Sequence, residues 1–173
     1  MSAKASAFHP LPNPSPARGE GLQSGRFGWR SWAWSRPAGP GAALTVKAMD
    51  APSLIALVER YFAAVDRMDV EATLACFEPD ASFTIATYDS VFRGRDGEVR
   101  DMFERLNARY ARVWHGAFDH VVQPPGRIAS RFRVENTLHD GSLRVKHNCN
   151  FFSVRAGRFD AVVVYMSGDN SLA

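Results

Sequence analysis

The stretch Leu143-Arg-Val-Lys-His-Asn-Cys-Asn-Phe-Phe-Ser-Val-Arg155, followed by Ala156-Gly157-Arg158 and a second apolar run from Phe159, decides the fold. Two runs rich in β-branched and aromatic residues around a short glycine-containing turn form the pattern of a β-hairpin. Alternate residues of a strand share a face. Leu143, Val145, His147, Cys149 and Phe151 therefore share one face, and Arg144, Lys146, Asn148, Asn150 and Phe152 the other. The first set is the more apolar. It is expected to face the core, with His147 as the polar residue caught there.

Upstream, residues 128–139 alternate in the same way, with Ile128, Ser130, Phe132, Val134, Asn136 and Leu138 on one face. Asp140-Gly141 reads as a two-residue hairpin turn. That turn pairs Leu138 with Leu143 and Asn136 with Val145, leaving His147 one diagonal step from Asn136. Residues 114–123 form another strand, closed by Pro124-Pro125-Gly126. His115 and His120, five apart on it, fall on opposite faces of a regular strand, which argues against a shared metal. Arg131, Arg133, Arg144 and Lys146 gather with Glu135 on the convex face as a solvated or dimer-contacting cluster.

Before these strands the period changes. Asp50 is placed to cap a helix with Pro52 in its first turn, and Leu54, Val58, Tyr61, Val65 and Met68 recur at steps of three and four. Asp69 opens a shorter helix over residues 70–77, stopped by Glu78-Pro79-Asp80. Residues 81–87 alternate as a strand with Phe83 and Ile85 on one face. After Gly94-Arg-Asp-Gly97 a third helix buries Val99, Met102, Phe103, Leu106 and Tyr110. Helices first and antiparallel strands after them predict an α+β domain with helices on one sheet face. Polar groups on an otherwise apolar concave face describe a ligand pocket.

A chain of 173 residues holds one ordinary domain. Residues 1–48 carry six of the ten prolines and a charge of +5 out of the total of +3, leaving −2 on residues 49–173. The proline- and glycine-rich stretch is expected to be a disordered tail. Met49, just before the first helix signal, is an expected natural start. The near-neutral body argues against nucleic acid as a partner, and no run reaches the ~20 apolar residues of a membrane span. Cys76 and Cys149 lack metal or redox spacing and read as free thiols in a reducing, cytoplasmic setting.

Val58-Glu-Arg-Tyr-Phe-Ala-Ala-Val65, Met68-Asp-Val-Glu-Ala-Thr-Leu-Ala-Cys-Phe-Glu-Pro-Asp-Ala81, Phe92-Arg-Gly-Arg95 and Phe151-Phe-Ser-Val-Arg-Ala-Gly-Arg158 resemble the nuclear transport factor 2-like superfamily. The chain looks closest to its ketosteroid isomerase-like and SnoaL-like polyketide cyclase branches. The resemblance covers about residues 52–170. It implies a cone-shaped curved antiparallel sheet packed on three helices, an apolar pocket inside the cone, and a homodimer formed through the sheet. Of the catalytic positions of ketosteroid isomerases, the oxyanion-hole tyrosine matches Tyr61. The carboxylate base falls on Ile85 and the protonated aspartate on Cys149. Isoleucine cannot accept a proton and a thiol is a weak donor, so the steroid isomerase mechanism is not expected.

The expected pocket holds His147 as base and Tyr61 as donor, with Asn136, Cys149, Phe83, Ile85, Phe132, Val134 and Phe151 around a small apolar molecule. The chemistry expected of it is an isomerisation, cyclisation or dehydration of a carbonyl compound that needs no cofactor and no metal. The alternative is a non-catalytic dimeric ligand-binding or accessory module.

Overall fold

The computed structural model describes residues 48–172. The expected disordered tail, residues 1–48, lies outside them except for its last residue. Asp50 opens the fold: its carboxylate accepts the Ser53 N–H at 2.9 Å, and helix α1 runs Ala51–Asp66 with its proline in the first turn. Of the expected stripe, Leu54, Val58, Tyr61 and Val65 are buried, joined by Leu57 and Phe62, while Met68 lies beyond the helix end at a φ of +56° and is half-buried. Asp69 caps α2, Val70–Leu74, by accepting the Ala72 N–H at 2.9 Å. This helix ends before the expected residue 77, because Phe77 already opens strand β1, Phe77–Ile85. The proline at position 79 drives Glu78 before it into extended backbone. Strand β2 (Ser90–Arg93), helix α3 (Arg100–Arg109), and strands β3 (Tyr110–Gln123), β4 (Arg127–Leu138), β5 (Leu143–Arg155) and β6 (Arg158–Met166) follow.

The six strands form one sheet in the order β2-β1-β6-β5-β4-β3. Every neighbouring pair is antiparallel except β1 with β6, which run parallel, so the sheet is mixed rather than wholly antiparallel. The curved sheet and its three helices make the expected α+β cone. Helix α1 lies across β3 and β4. Its Tyr61 ring stands amid Phe62, Phe77, Phe152 and Phe159, with centroids 4.8 to 6.0 Å away. Tilted and edge-on pairs of this kind contribute about 0.5–1.5 kcal/mol each beyond their buried area.

The β4–β5 connection departs from the sequence expectation by one residue. Leu138 N–H donates to the Ser142 carbonyl at 2.9 Å, and Gly141 N–H to the Leu138 carbonyl at 3.0 Å, so the loop holds His139, Asp140 and Gly141. Gly141 takes a φ of +83°, the left-handed position of a three-residue hairpin loop. The Asp140 carboxylate accepts the Ser142 N–H at 2.9 Å and braces the turn. Thr137 thus pairs with Leu143, and Asn136 with Arg144.

A one-residue shift sends every side chain of a strand to the other face. Lys146, Asn148, Asn150 and Phe152 are buried, opposite Val134, Phe132, Ser130 and Ile128. His147 and Phe151 are exposed and Cys149 is half-buried on the outer face. The expected inward placement of His147, Cys149 and Phe151 is therefore corrected, and Arg144 and Lys146 leave the expected convex cluster.

Strand β3 brings a second correction. Against β4 it carries one extra residue between Gly116 and Asp119, with Ala117 at a φ of +53°. His115 pairs with Val134 and His120 with Ser130, both inward positions. The bulge therefore puts the two histidines on the same face, not opposite ones. Gly116 is needed beside it, because a Cβ there would lie 2.3 Å from the Trp114 ring.

Adjacent phenylalanines on β5 test the register. Phe152→Ala is expected to lower unfolding free energy by about 3–5 kcal/mol in denaturant titrations. Phe151→Ala, at a site 45% exposed, is expected to cost about 1 kcal/mol or less. The reverse order would mean that β5 turns its other face to the core.

Candidate active site

A cavity of about 40 Å³ lies between the helices and the concave face of the sheet. The strands contribute Phe132, Val134 and Asn136 from β4 and Asn148 and Asn150 from β5, and α1 contributes Tyr61 and Phe62. Ser171 and Leu172 close one end. The segment that carries them is held across the cone by side chains that reach its carbonyls. Arg109 donates to the Asn170 carbonyl at 3.0 Å, Lys146 Nζ to that of Asp169, and the Tyr88 hydroxyl to that of Gly168. Burial pulls the Lys146 ammonium below the usual lysine range.

The chemistry of the cavity centres on a pair absent from the sequence expectations. Asp66 ends α1 and His115 lies on β3, forty-nine residues later. One Asp66 oxygen sits 2.6 Å from His115 Nδ1 and the other accepts the His115 backbone N–H at 3.1 Å. An ionised carboxylate only accepts, so the proton of a neutral imidazole resides on Nδ1 and the lone pair on Nε2. None of the described residues hydrogen-bonds that Nε2. The ring lines the cavity and is held by Phe62 and Phe132, at centroid distances of 4.7 and 5.5 Å. This is the arrangement of a base whose tautomer and orientation are fixed by a carboxylate.

Tyr61 lines the cavity. Burial, with smaller contributions from Cys76 and Asp66, pushes the phenol far above its usual range. It stays neutral and can donate a proton or a hydrogen bond. Asn136, Asn148 and Asn150 also line the cavity, and the side-chain oxygen of each is buried without a partner among the described residues. Asn148 and Asn150 belong to the face expected to point outward on the ground of its lower apolarity, and the register of the β4–β5 pairing turns them inward.

Of the residues expected from sequence, Tyr61, Asn136, Phe83, Phe132 and Val134 meet at the cavity. Ile85 is fully buried but is not among its lining residues. His147, Cys149 and Phe151 are on the opposite side of the sheet. His147 meets Ser167 there through its backbone N–H, 2.9 Å from the Ser167 hydroxyl. Burial raises the Cys149 thiol, which leaves less thiolate. The signal for Asp66 and His115 was a carboxylate at a helix end and a histidine beside a strand bulge. Neither has a spacing that reveals the other.

A model of the SnoaL-like domain matches residues 58–162. A search of curated proteins returned no match. Among solved structures, a candidate polyketide cyclase from Xanthomonas campestris pv. campestris is similar at 22% identity, with 66% of this chain and 90% of that chain covered and a TM-score of 0.61. PrhC from Penicillium brasilianum is similar at 17% identity, covering 67% and 81%, with a TM-score of 0.60. A nuclear transport factor 2-like protein from Anabaena variabilis is similar at 13% identity, covering 77% and 98%, also with a TM-score of 0.60. Identities this low show the shared fold. No helix of the described residues is long and apolar enough to cross a membrane.

The state of Tyr61 sets a pH dependence of stability. In the unfolded chain a tyrosine loses its proton near pH ~10, whereas the buried phenol keeps it. The native state then holds more protons than the unfolded one, so stability falls as pH rises through that value. Tyr61→Phe is expected to flatten the decline between pH 9 and 11.5 by about one proton, read from denaturant midpoints. Parallel wild-type and variant profiles would place the phenol in contact with water.

Proposed function

The chain belongs to the SnoaL-like domain family, and from that premise we propose that it is a cofactor-free acid–base catalyst acting on a small carbonyl compound. The observation that carries this reading is the Asp66–His115 pair, at 2.6 Å, at the wall of an otherwise mostly apolar cavity. His115 Nε2 takes a proton from the carbon next to the carbonyl. Asp66 holds the ring and stabilises the imidazolium that forms. Tyr61 donates to the oxygen that becomes the enolate, and the proton returns at another carbon or assists loss of a hydroxyl. Isomerisation, cyclisation and dehydration all share this first step. Ligands larger than a few water molecules need the cavity to widen, since it has room for only about three waters.

The base is tested by deuterium wash-in from heavy water at the α-carbons of small enones and hydroxyketones, followed by NMR. His115→Gln and Asp66→Asn are each expected to lower the exchange rate by about 10²–10⁴-fold while the fold is retained. Wild-type exchange equal to the buffer rate across the panel would favour the alternative, a binding or accessory module.

The outer face of the sheet supports the homodimer expectation as a proposal. Leu143, Val145, Phe151 and Tyr165 are 45–51% exposed, and the last two rings pack edge-on at 6.0 Å. Exposed apolar and aromatic side chains interleaved with charges on one sheet face suit a second copy of the same chain. Sedimentation velocity is expected to show a dimer that Phe151→Arg with Tyr165→Arg converts to monomer. An unchanged mass in that double variant would remove this face from the interface.

A further inference from the structure

Asn136, Asn148 and Asn150 are 1%, 8% and 3% exposed, and all three line the same cavity. Each side-chain oxygen is buried with no partner among the described residues. Buried amides without partners weaken a fold, and leucine would fill the same positions without that cost. Their neighbours on the inner face are mostly apolar, with Phe132 and Val134 on β4, Phe152 on β5 and Val164 and Met166 on β6, while Ser130 stands opposite Asn150 and Lys146 precedes Asn148 on the strand. Three unmet carboxamides in one mostly apolar cavity are therefore groups whose partner is something other than the chain itself.

The chemistry of that partner follows from the set. A carboxamide donates through its NH₂ and accepts through its oxygen, so it matches hydroxyl and carbonyl groups alike. No lysine, arginine, aspartate or glutamate lines the cavity. Lys146, on the same sheet face, directs its ammonium to the Asp169 carbonyl. An anion would find no cation there and would meet the Asp66 carboxylate behind His115. Asn148 and Asn150 are two residues apart on one strand, a spacing of about 6.6 Å, and Asn136 stands on the neighbouring strand. The donors are spread along the cavity, which suits a molecule with oxygens at more than one carbon.

We propose that these three asparagines determine the specificity of the site, and that its substrate is a small neutral hydroxycarbonyl compound rather than a hydrocarbon-like ketone or a carboxylate. This rests on the cavity being the reactive site but not on the identity of the base. Binding, not turnover, is therefore the measurement. Dihydroxyacetone serves as the probe, with acetone, pyruvate and ethanolamine as small molecules with fewer oxygens, negative charge and positive charge. Affinities are read by saturation-transfer NMR on the full chain.

Dihydroxyacetone is expected to bind at least about tenfold more tightly than the other three, a margin of about 1.4 kcal/mol. Asn148→Leu and Asn150→Leu are each expected to lose at least that tenfold, while the ligand-free melting temperature stays level or rises. If leucine does not fit, Asn148→Ala and Asn150→Ala carry the same expectation for binding. Equal binding of acetone, stronger binding of either charged probe, or dihydroxyacetone affinity unchanged in the variants would overturn the proposal. So would a lower melting temperature in the leucine variants that fold, because the amides would then be holding the chain together. Binding that survives in His115→Gln while deuterium exchange is absent in wild type would sink the base and leave this inference standing.

Discussion

The loop that joins β4 to β5 governs what the inside of the cone is made of. Gly141 in left-handed backbone and the Asp140 carboxylate on the Ser142 N–H fix three residues between the strands. That count puts Asn148, Asn150 and Phe152 opposite Phe132, Ser130 and Ile128. The asparagines in the cavity wall, the outward placement of Val145 and Phe151 and the exposure of His147 all follow from the same register. A hairpin with one residue fewer would have exchanged the two faces of β5.

A second tie connects the helical layer to the sheet. Asp66 holds both the ring and the backbone of His115, so the end of α1 and the middle of β3 are joined by one side chain. The bulge after His115 then turns the following residues without breaking the pairing with β4. Helix end, bulge and aromatic neighbours together leave the imidazole little freedom. Pre-organisation of this sort presents the ring to the cavity without any reorientation. The outer-face ion pairs are of a different kind. Arg131–Asp119 at 3.1 Å and Arg133–Glu135 at 2.7 Å are solvent-accessible, and pairs of this type contribute little to stability.

The layers of the fold were legible because their signals are local. The caps Asp50 and Asp69, the stripe Leu54–Val58–Tyr61–Val65 and the alternation of β4 each depend on residues within one or two turns of each other. Family-like stretches such as Phe92-Arg-Gly-Arg95 pointed to the same cone. The orientation of β5 was not legible, because it depends on how many residues a turn encloses, and Asp-Gly is compatible with two-residue and three-residue loops. The composition of β5 also misled. Its inner face carries Lys146, Asn148 and Asn150 because it lines a cavity, and its outer face carries Val145 and Phe151 in spite of its exposure. The Asp66–His115 pair is illegible in the sequence for a third reason. Their contact is long-range, and a bulge changed the parity that would have placed the histidine and its neighbour His120.

The adjacent pair Phe151-Phe152 gives either register one phenylalanine to bury, so aromatic content alone does little to select between them. Selection falls on the short turn and on the pairing it starts. In evolutionary terms, a single-codon insertion or deletion in that turn does what no substitution can. It exchanges the interior of a cavity for a surface, converting a binding strand into a contact strand in one step.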